Sequence, residues 1–124
     1  MIVILDSGIL ALLVTPISEE LSEDEKLLME VSQCTEWFYR LLSKDAYVIV
    51  SDICDYEVRR EFVRIKSKSV QELDKLRKLI EFKEVSFAVL EKAAELWAEA
   101  RYISQPNKIK ENIDRDCILT AQWY

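Results

Sequence analysis

The chain contains no histidine and a single glycine among its 124 residues. The first absence removes the commonest general base and the commonest transition-metal ligand. Any catalysis must then run on carboxylates, hydroxyls, amines or a bound metal. The second excludes the glycine-rich phosphate loops of Rossmann and P-loop nucleotide binding. Prolines number only two and half of the residues are apolar, which argues against disorder and for a compact, helix-rich globule. Long hydrophobic runs are also lacking, and none is near the length that spans a bilayer. The first residues have neither the basic stretch nor the long apolar core of a secretory signal. A soluble, cytoplasmic protein without a membrane partner is expected. Basic excess is missing too: the net charge is −6. That argues against broad, tight, non-specific nucleic-acid binding, but not against a nuclease whose metal restores positive charge locally. The three cysteines, Cys34, Cys54 and Cys117, have no C-x-x-C spacing and sit in apolar patterns. Core packing is expected of them, not zinc or a disulfide.

What is present reads as one domain over residues 1–124, with strands and helices alternating. Ile2–Leu5 is a short apolar strand, and Gly8–Leu13 a short helix before Thr15-Pro16. Ser18–Leu21 reads as loop. Residues 23–43 carry Leu27, Leu28, Val31, Cys34, Phe38, Leu41 and Leu42 at three- and four-residue spacings, one apolar face of a helix. Tyr47–Val50 is a second strand, after which Ser51 or Asp52 caps a helix to about Lys66. Ser69-Val70-Gln71-Glu72 has the form of a capping box, opening a helix with Leu73, Leu76 and Ile80 on one face. Phe82–Val85 is a weaker third strand. Ser86 starts a helix with Leu90, Ala93, Ala94 and Trp97 inward. Ile103–Glu111 reads as a polar loop around Pro106, and Asn112 as the N-cap of a last helix. The order β-α-α-β-α-α-β-α-α predicts an α/β domain on a parallel sheet with right-handed crossovers. Ligands in such sheets bind at the carboxyl ends of the strands, where Asp6 and Asp52 fall.

Acidic residues mark the candidate site. Asp6 closes the first strand, where it is either the N-cap of the next helix or a metal ligand on a rigid strand; Ser7 beside it is a candidate supporting group. In the helix after strand two the apolar seam is Cys54, Val58, Phe62 and Ile65. Glu57 falls ~60° from Cys54 and ~100° from Val58, at the border of the buried face. It is either a ligand or a surface partner of Arg60 or Arg64. For Glu61 a surface pair with Arg64 is the better reading. Asp114 and Asp116 open the last helix, where the helix dipole favours acids. They diverge by ~200°, so one site takes them unequally. Asp116, followed by Cys117, Ile118 and Leu119, is the better ligand, and Asp114 an auxiliary one. Three carboxylate positions in a histidine-free chain suggest a divalent cation held by oxygen.

The basic run Arg59, Arg60, Arg64, Lys66, Lys68 reads first as a solvated helix face. Beside a carboxylate site, Arg59 or Arg60 becomes a candidate phosphate contact. Trp37, Tyr39, Tyr56 and Trp97 lie in helical patterns and are expected in the core or an interface. No D-x-D follows strand one, and strand three ends in Val85-Ser86 rather than aspartate. A haloacid-dehalogenase-type phosphatase and a phospho-receiver domain are therefore poor fits.

ILDSGILALL, SDICDYEVRRE, AAELWAEAR and DRDCILTAQ, in that order along the whole chain, resemble a PIN domain, and most closely the VapC-like group. The resemblance implies a three-layer α/β/α sandwich around a parallel sheet. It implies a ribonuclease that hydrolyses RNA phosphodiesters with Mg²⁺ or Mn²⁺, the toxin of a toxin–antitoxin pair. By position the family's acids are Asp6, Glu57 and Asp116, with Asp114 as the frequent extra one. The metal in such a site orients and deprotonates water and polarises the phosphoryl oxygen. An antitoxin protein is the implied partner. A PIN domain normally continues with a further strand beside strand one. Here the sequence given stops at Trp123-Tyr124, so strand one is expected at an open edge, liable to association, and a homodimer is expected. The competing readings are a truncated, non-catalytic PIN-like binding or assembly module, and an unrelated small α/β interaction domain whose acids are caps and surface pairs.

Overall fold

The computed structural model describes residues 1–15, 25–103 and 113–123. The expectations for Ser18–Leu21, most of the loop around Pro106, and the Asn112 cap lie outside these residues. The chain divides into two compact units, Met1–Lys83 and Glu84–Tyr124.

The first unit is built on a parallel sheet, β1 (Ile2–Leu5), β2 (Tyr47–Ser51) and β3 (Glu81–Lys83), in the order β1-β2-β3. Leu5 lies opposite Val50, and Val50 opposite Phe82. Central β2 is buried from Val48 to Ser51, as the continuous apolar run of a parallel strand requires. Among the described residues β1 pairs on one side only, the edge position expected of it, and Ile2 and Ile4 are exposed.

Among the described residues four helices complete this unit: α1 (Ser7–Leu13), α2 (Glu25–Ser43), α3 (Asp52–Arg64) and α4 (Ser69–Leu76). The seam of α2 buries Val31, Cys34, Phe38 and Leu41, the expected 3-4-3 spacing. Helix α1 packs on α2 and α3, and α3 also on α4 and β2. Leu10, Val50 and Leu73 are wholly enclosed; truncating any of them to alanine costs about 2–5 kcal/mol. All three cysteines are buried and reduced, in agreement with a packing role.

Two helix ends show how a glycine-poor chain turns. Asp45 and Lys66 take left-handed backbone, with φ of 56° and 55°. In each case the next residue's N–H reaches back five residues, Ala46 to Leu41 and Ser67 to Phe62. This is the Schellman closure, made here at a cost of about 1–2 kcal/mol relative to glycine. The expected capping box does not form. Ser69 is already helical and buried, and its N–H is capped by the Ser67 hydroxyl at 3.1 Å. The helix stops at Leu76, where the next turn tightens to Lys78–Lys75 and Leu79–Leu76 bonds; Ile80 follows it, half-buried, its N–H bonded to the Leu76 carbonyl at 3.2 Å.

The second unit pairs α5 (Phe87–Ile103) with α6 (Ile113–Trp123). The Ser86 hydroxyl accepts the Val89 N–H at 3.2 Å, at the helix start expected there. Ala93, Cys117 and Gln122 are buried, and the Gln122 amide donates to the Glu84 carbonyl at 3.0 Å. Leu90 and Trp97, expected inward, remain 45% and 38% exposed. With Cys117 and Ile118 they line an apolar groove of about 400 Å³. Among the described residues no helix is long and apolar enough to cross a membrane.

Candidate functional site

Asp6 stands at the carboxyl end of β1 with extended backbone (φ −93°, ψ 176°), and its Oδ1 accepts the Ile9 N–H at 2.9 Å. It therefore is the N-cap of α1. It is also exposed, and a carboxylate that gives one oxygen to a cap keeps acceptor capacity on both. Its charge reaches Cys34, whose thiol is pushed up first by burial and then by Asp6.

Beside it, the Ser7 hydroxyl donates to Glu57 Oε1 at 3.2 Å, joining residues 50 apart in sequence. Glu57 is half-buried next to fully buried Val58, the border position its helical angle predicts. Ser7, Gly8 and Ala11 of α1 face Glu57, Val58, Arg60, Glu61 and Phe62 of α3 across a groove of about 360 Å³. The groove thus has small and apolar walls, two carboxylates and one guanidinium. Gly8 is not required for its shape: a Cβ there meets Asp6 Oδ1 at 3.5 Å, an ordinary contact.

The arginines separate sharply. Arg59, a candidate phosphate contact, holds Asp55 through Nε at 2.8 Å and Nη2 at 3.2 Å, and Asp74 through Nη1 at 2.8 Å. Its hydrogen bond to Asp55 pushes the guanidinium further above its ordinary value. Arg77 bridges Asp52 at 2.6 Å and Asp55 at 3.2 Å, and lies 4.5 Å from the centre of the Phe82 ring. Arg64 pairs with Glu61 and lowers the carboxyl pKa of that residue, the surface pair expected. Arg60 instead stands over the Tyr56 ring, 5.4 Å from its centre. Tyr56, Tyr39, Trp37 and Trp97 are 56%, 60%, 41% and 38% exposed. None is a core residue, and Trp97 instead lines the groove shared with Cys117 and Ile118.

Sequence reasoning missed the cluster of Asp52, Asp55, Asp74, Arg59 and Arg77. Its one local signal is the Asp55–Arg59 spacing of four; the partners on α4 are 15 and 22 residues away. At the rim Ser51, not Asp52, makes the cap, accepting the Ile53 N–H at 3.2 Å.

Asp114 and Asp116 belong to the second unit, and both are exposed. Asp116, the preferred ligand of the pair, accepts a hydrogen bond from Arg115 at 3.3 Å. It is Asp114 that lines the groove beside Trp97 and Cys117. Cys117 is pushed up by its burial, then by Asp114 and Asp116.

Among the described residues, no three Asp, Glu or Cys side chains form a group that could hold a metal ion. The first unit supplies two hard oxygen donors, Asp6 at the end of β1 and Glu57, which is bonded by Asp6's neighbour in sequence, Ser7. That donor set fits Mg²⁺, which commonly takes one or two carboxylates and keeps its waters, and is wrong for softer metals. Comparisons with protein-family models, curated proteins and solved structures found no match to this chain.

Proposed function

We propose that the chain is a PIN-like, metal-dependent endoribonuclease, with its sheet in a three-layer α/β/α arrangement, acting in the cytoplasm as a toxin restrained by an antitoxin protein. The observation that carries the reading is the Ser7–Glu57 hydrogen bond. It ties a carboxylate of the helix after β2 to the residue next to Asp6, at the strand ends where α/β sheets bind ligands. Asp6 and Glu57 would hold Mg²⁺ or Mn²⁺, and the family resemblance adds Asp116 and Asp114. When bound, the metal supplies Lewis-acid activation of water and of the phosphoryl group.

The chain's own groups have defined tasks. The cap bond to the Ile9 N–H fixes the Asp6 carboxylate on a rigid strand end. The Ser7 hydroxyl holds Oε1 of Glu57, so this carboxylate is oriented to accept a proton from the attacking water. Val58 and Phe62 give the groove an apolar wall, which limits bulk water around the reacting phosphodiester. The test is hydrolysis of RNA in Mg²⁺ or Mn²⁺ by the parent, Asp6→Asn, Glu57→Gln and Asp116→Asn. The reading predicts cleavage by the parent only, and parental rates in these variants would overturn the assignment.

A second reading, a non-catalytic PIN-like binding or assembly module able to self-associate through β1, is favoured by one observation. The Asp6 carboxylate already has a structural task as a cap. Calorimetry separates the two: the module takes up no Mg²⁺ or Mn²⁺.

A further inference from the structure

Arg77 directly follows α4 and touches two other elements of the first unit. Its Nη1 donates to Asp52 Oδ1 at 2.6 Å and to Asp55 Oδ2 at 3.2 Å, both in the first turn of α3. Its guanidinium carbon lies 4.5 Å from the centre of the Phe82 ring on β3, within the distance at which a cation is drawn to an aromatic face. Phe82 is the register partner of Val50, and Val50 precedes Ser51, whose hydroxyl caps α3. The same sheet carries β1, which Asp6 follows. One side chain therefore ties the start of α3 to the sheet on which Asp6 stands. Arg59 differs: it belongs to α3 and reaches α4 through Asp74.

The tie bears on rotation. Glu57 lies two residues from Asp55, ~200° around the helix. The buried seam of Cys54 and Val58 is held by non-directional apolar contact. It opposes separation of α3 from its neighbours more than rotation about the helix axis. Charge-assisted bonds from a planar guanidinium are directional. A side chain about 5–6 Å from the helix axis moves about 1 Å for roughly 10° of rotation. An error of about 1 Å in the place of a reacting group costs on the order of 100-fold in rate. The Ser7 hydroxyl meets Glu57 Oε1 at 3.2 Å, and a displacement of that size away from Ser7 breaks the bond.

We infer that Arg77 is a positioning residue for Glu57: by holding Asp52 and Asp55 it sets the rotation of α3, and with it the place of the Glu57 carboxylate beside Ser7. The chemical task of Glu57 rests on the nuclease reading above; the tie rests on the contacts of Arg77.

Two measurements test it, on variants whose folding is verified by circular dichroism. The first needs no activity. Gly8 is the single glycine of the chain and lines the groove with Glu57, so its amide gives one recognisable NMR signal. Arg77→Gln should move that signal, although Arg77 acts from the other side of α3. Lys75→Ala, which removes an exposed pair with Glu72 on α4, should leave it in place. The second is a kinetic cycle with Glu57→Gln. In the parent, Arg77→Gln should lower kcat for RNA hydrolysis about tenfold or more and leave KM within about twofold. In Glu57→Gln the same change should cost less than about twofold, because the group it positions is already gone. Arg77→Lys keeps the charge and loses the fork; it should show the same changes in smaller size, and carries the test if Arg77→Gln does not fold. An unmoved Gly8 signal overturns the inference, as does a signal moved equally by Lys75→Ala. Equal losses of kcat in the two backgrounds also overturn it, since general destabilisation acts in both. The two readings fail separately. A Gly8 signal that responds to Arg77→Gln in a protein that cleaves nothing sinks the nuclease alone. Glu57-dependent hydrolysis with a parental kcat in Arg77→Gln sinks the positioning role alone.

Discussion

Helix α3 carries two sets of charges that differ in what holds them. On one side Asp55, with its side chain only 9% exposed, is gripped by Arg59 and Arg77, and these reach Asp74 and Asp52. Every charge there has an opposite partner across α3 and α4. On the other side Glu57 has a neutral hydroxyl from Ser7, and Arg60 an aromatic ring. The first set is arranged to hold two helices together. Both Glu57 and Arg60 line the groove between α1 and α3. Position on one helix therefore separates an acid held in an ion-pair cluster from one that lines a groove, although both read alike as DYEVRRE.

The comparison can be broken most strongly at Asp55. Removing Asp55 takes the buried carboxylate from two partly exposed arginines that keep Asp74 and Asp52, so Asp55→Ala should cost about 1.5–3 kcal/mol in urea unfolding, the worth of hydrogen bonds to a charged group. A loss below about 1 kcal/mol would mean that the cluster is an ordinary surface network. Next in size is the cap. Asp6→Ala should cost about 1 kcal/mol, whereas Asp6→Asn, with a side-chain oxygen that still caps, should stay within about 0.5 kcal/mol of the parent. Asp6→Asn therefore isolates the charge from the cap in any activity assay. Smaller still is Arg64→Ala, which removes an exposed pair with Glu61 and should change stability by no more than about 0.5 kcal/mol. A larger loss would make the groove side of α3 structural as well.

The fold was largely legible because its signals are local. The β-α-α order, the α2 seam and the helix start at Ser86 follow from periodicity and from short polar residues at helix starts. Misjudged details depend on what the chain meets in space. Ser69 has the right neighbours for a capping box, but it is buried and helical, so Ser67 takes the task. Tyr56 fits a helical pattern yet lies outside the seam of Cys54 and Val58. For the candidate site, the approach of the helix after β2 to the end of β1, seen in the Ser7–Glu57 bond, followed from the β-α-α order. The two uses of arginine did not, since Asp52 and Asp74 meet Arg77 and Arg59 across 25 and 15 residues. Asp6 itself resolves an alternative left open by sequence: it caps α1, and its exposure leaves it available as a ligand.

The most direct test of the division on α3 is Glu57→Gln, assayed for Mg²⁺- or Mn²⁺-dependent RNA hydrolysis and for its urea midpoint in parallel. The account predicts a parental midpoint with hydrolysis reduced on the order of 100-fold or more, the usual contribution of a positioned proton acceptor. Hydrolysis at the parental rate, or a fall in the midpoint as large as that of Asp55→Ala, would contradict it.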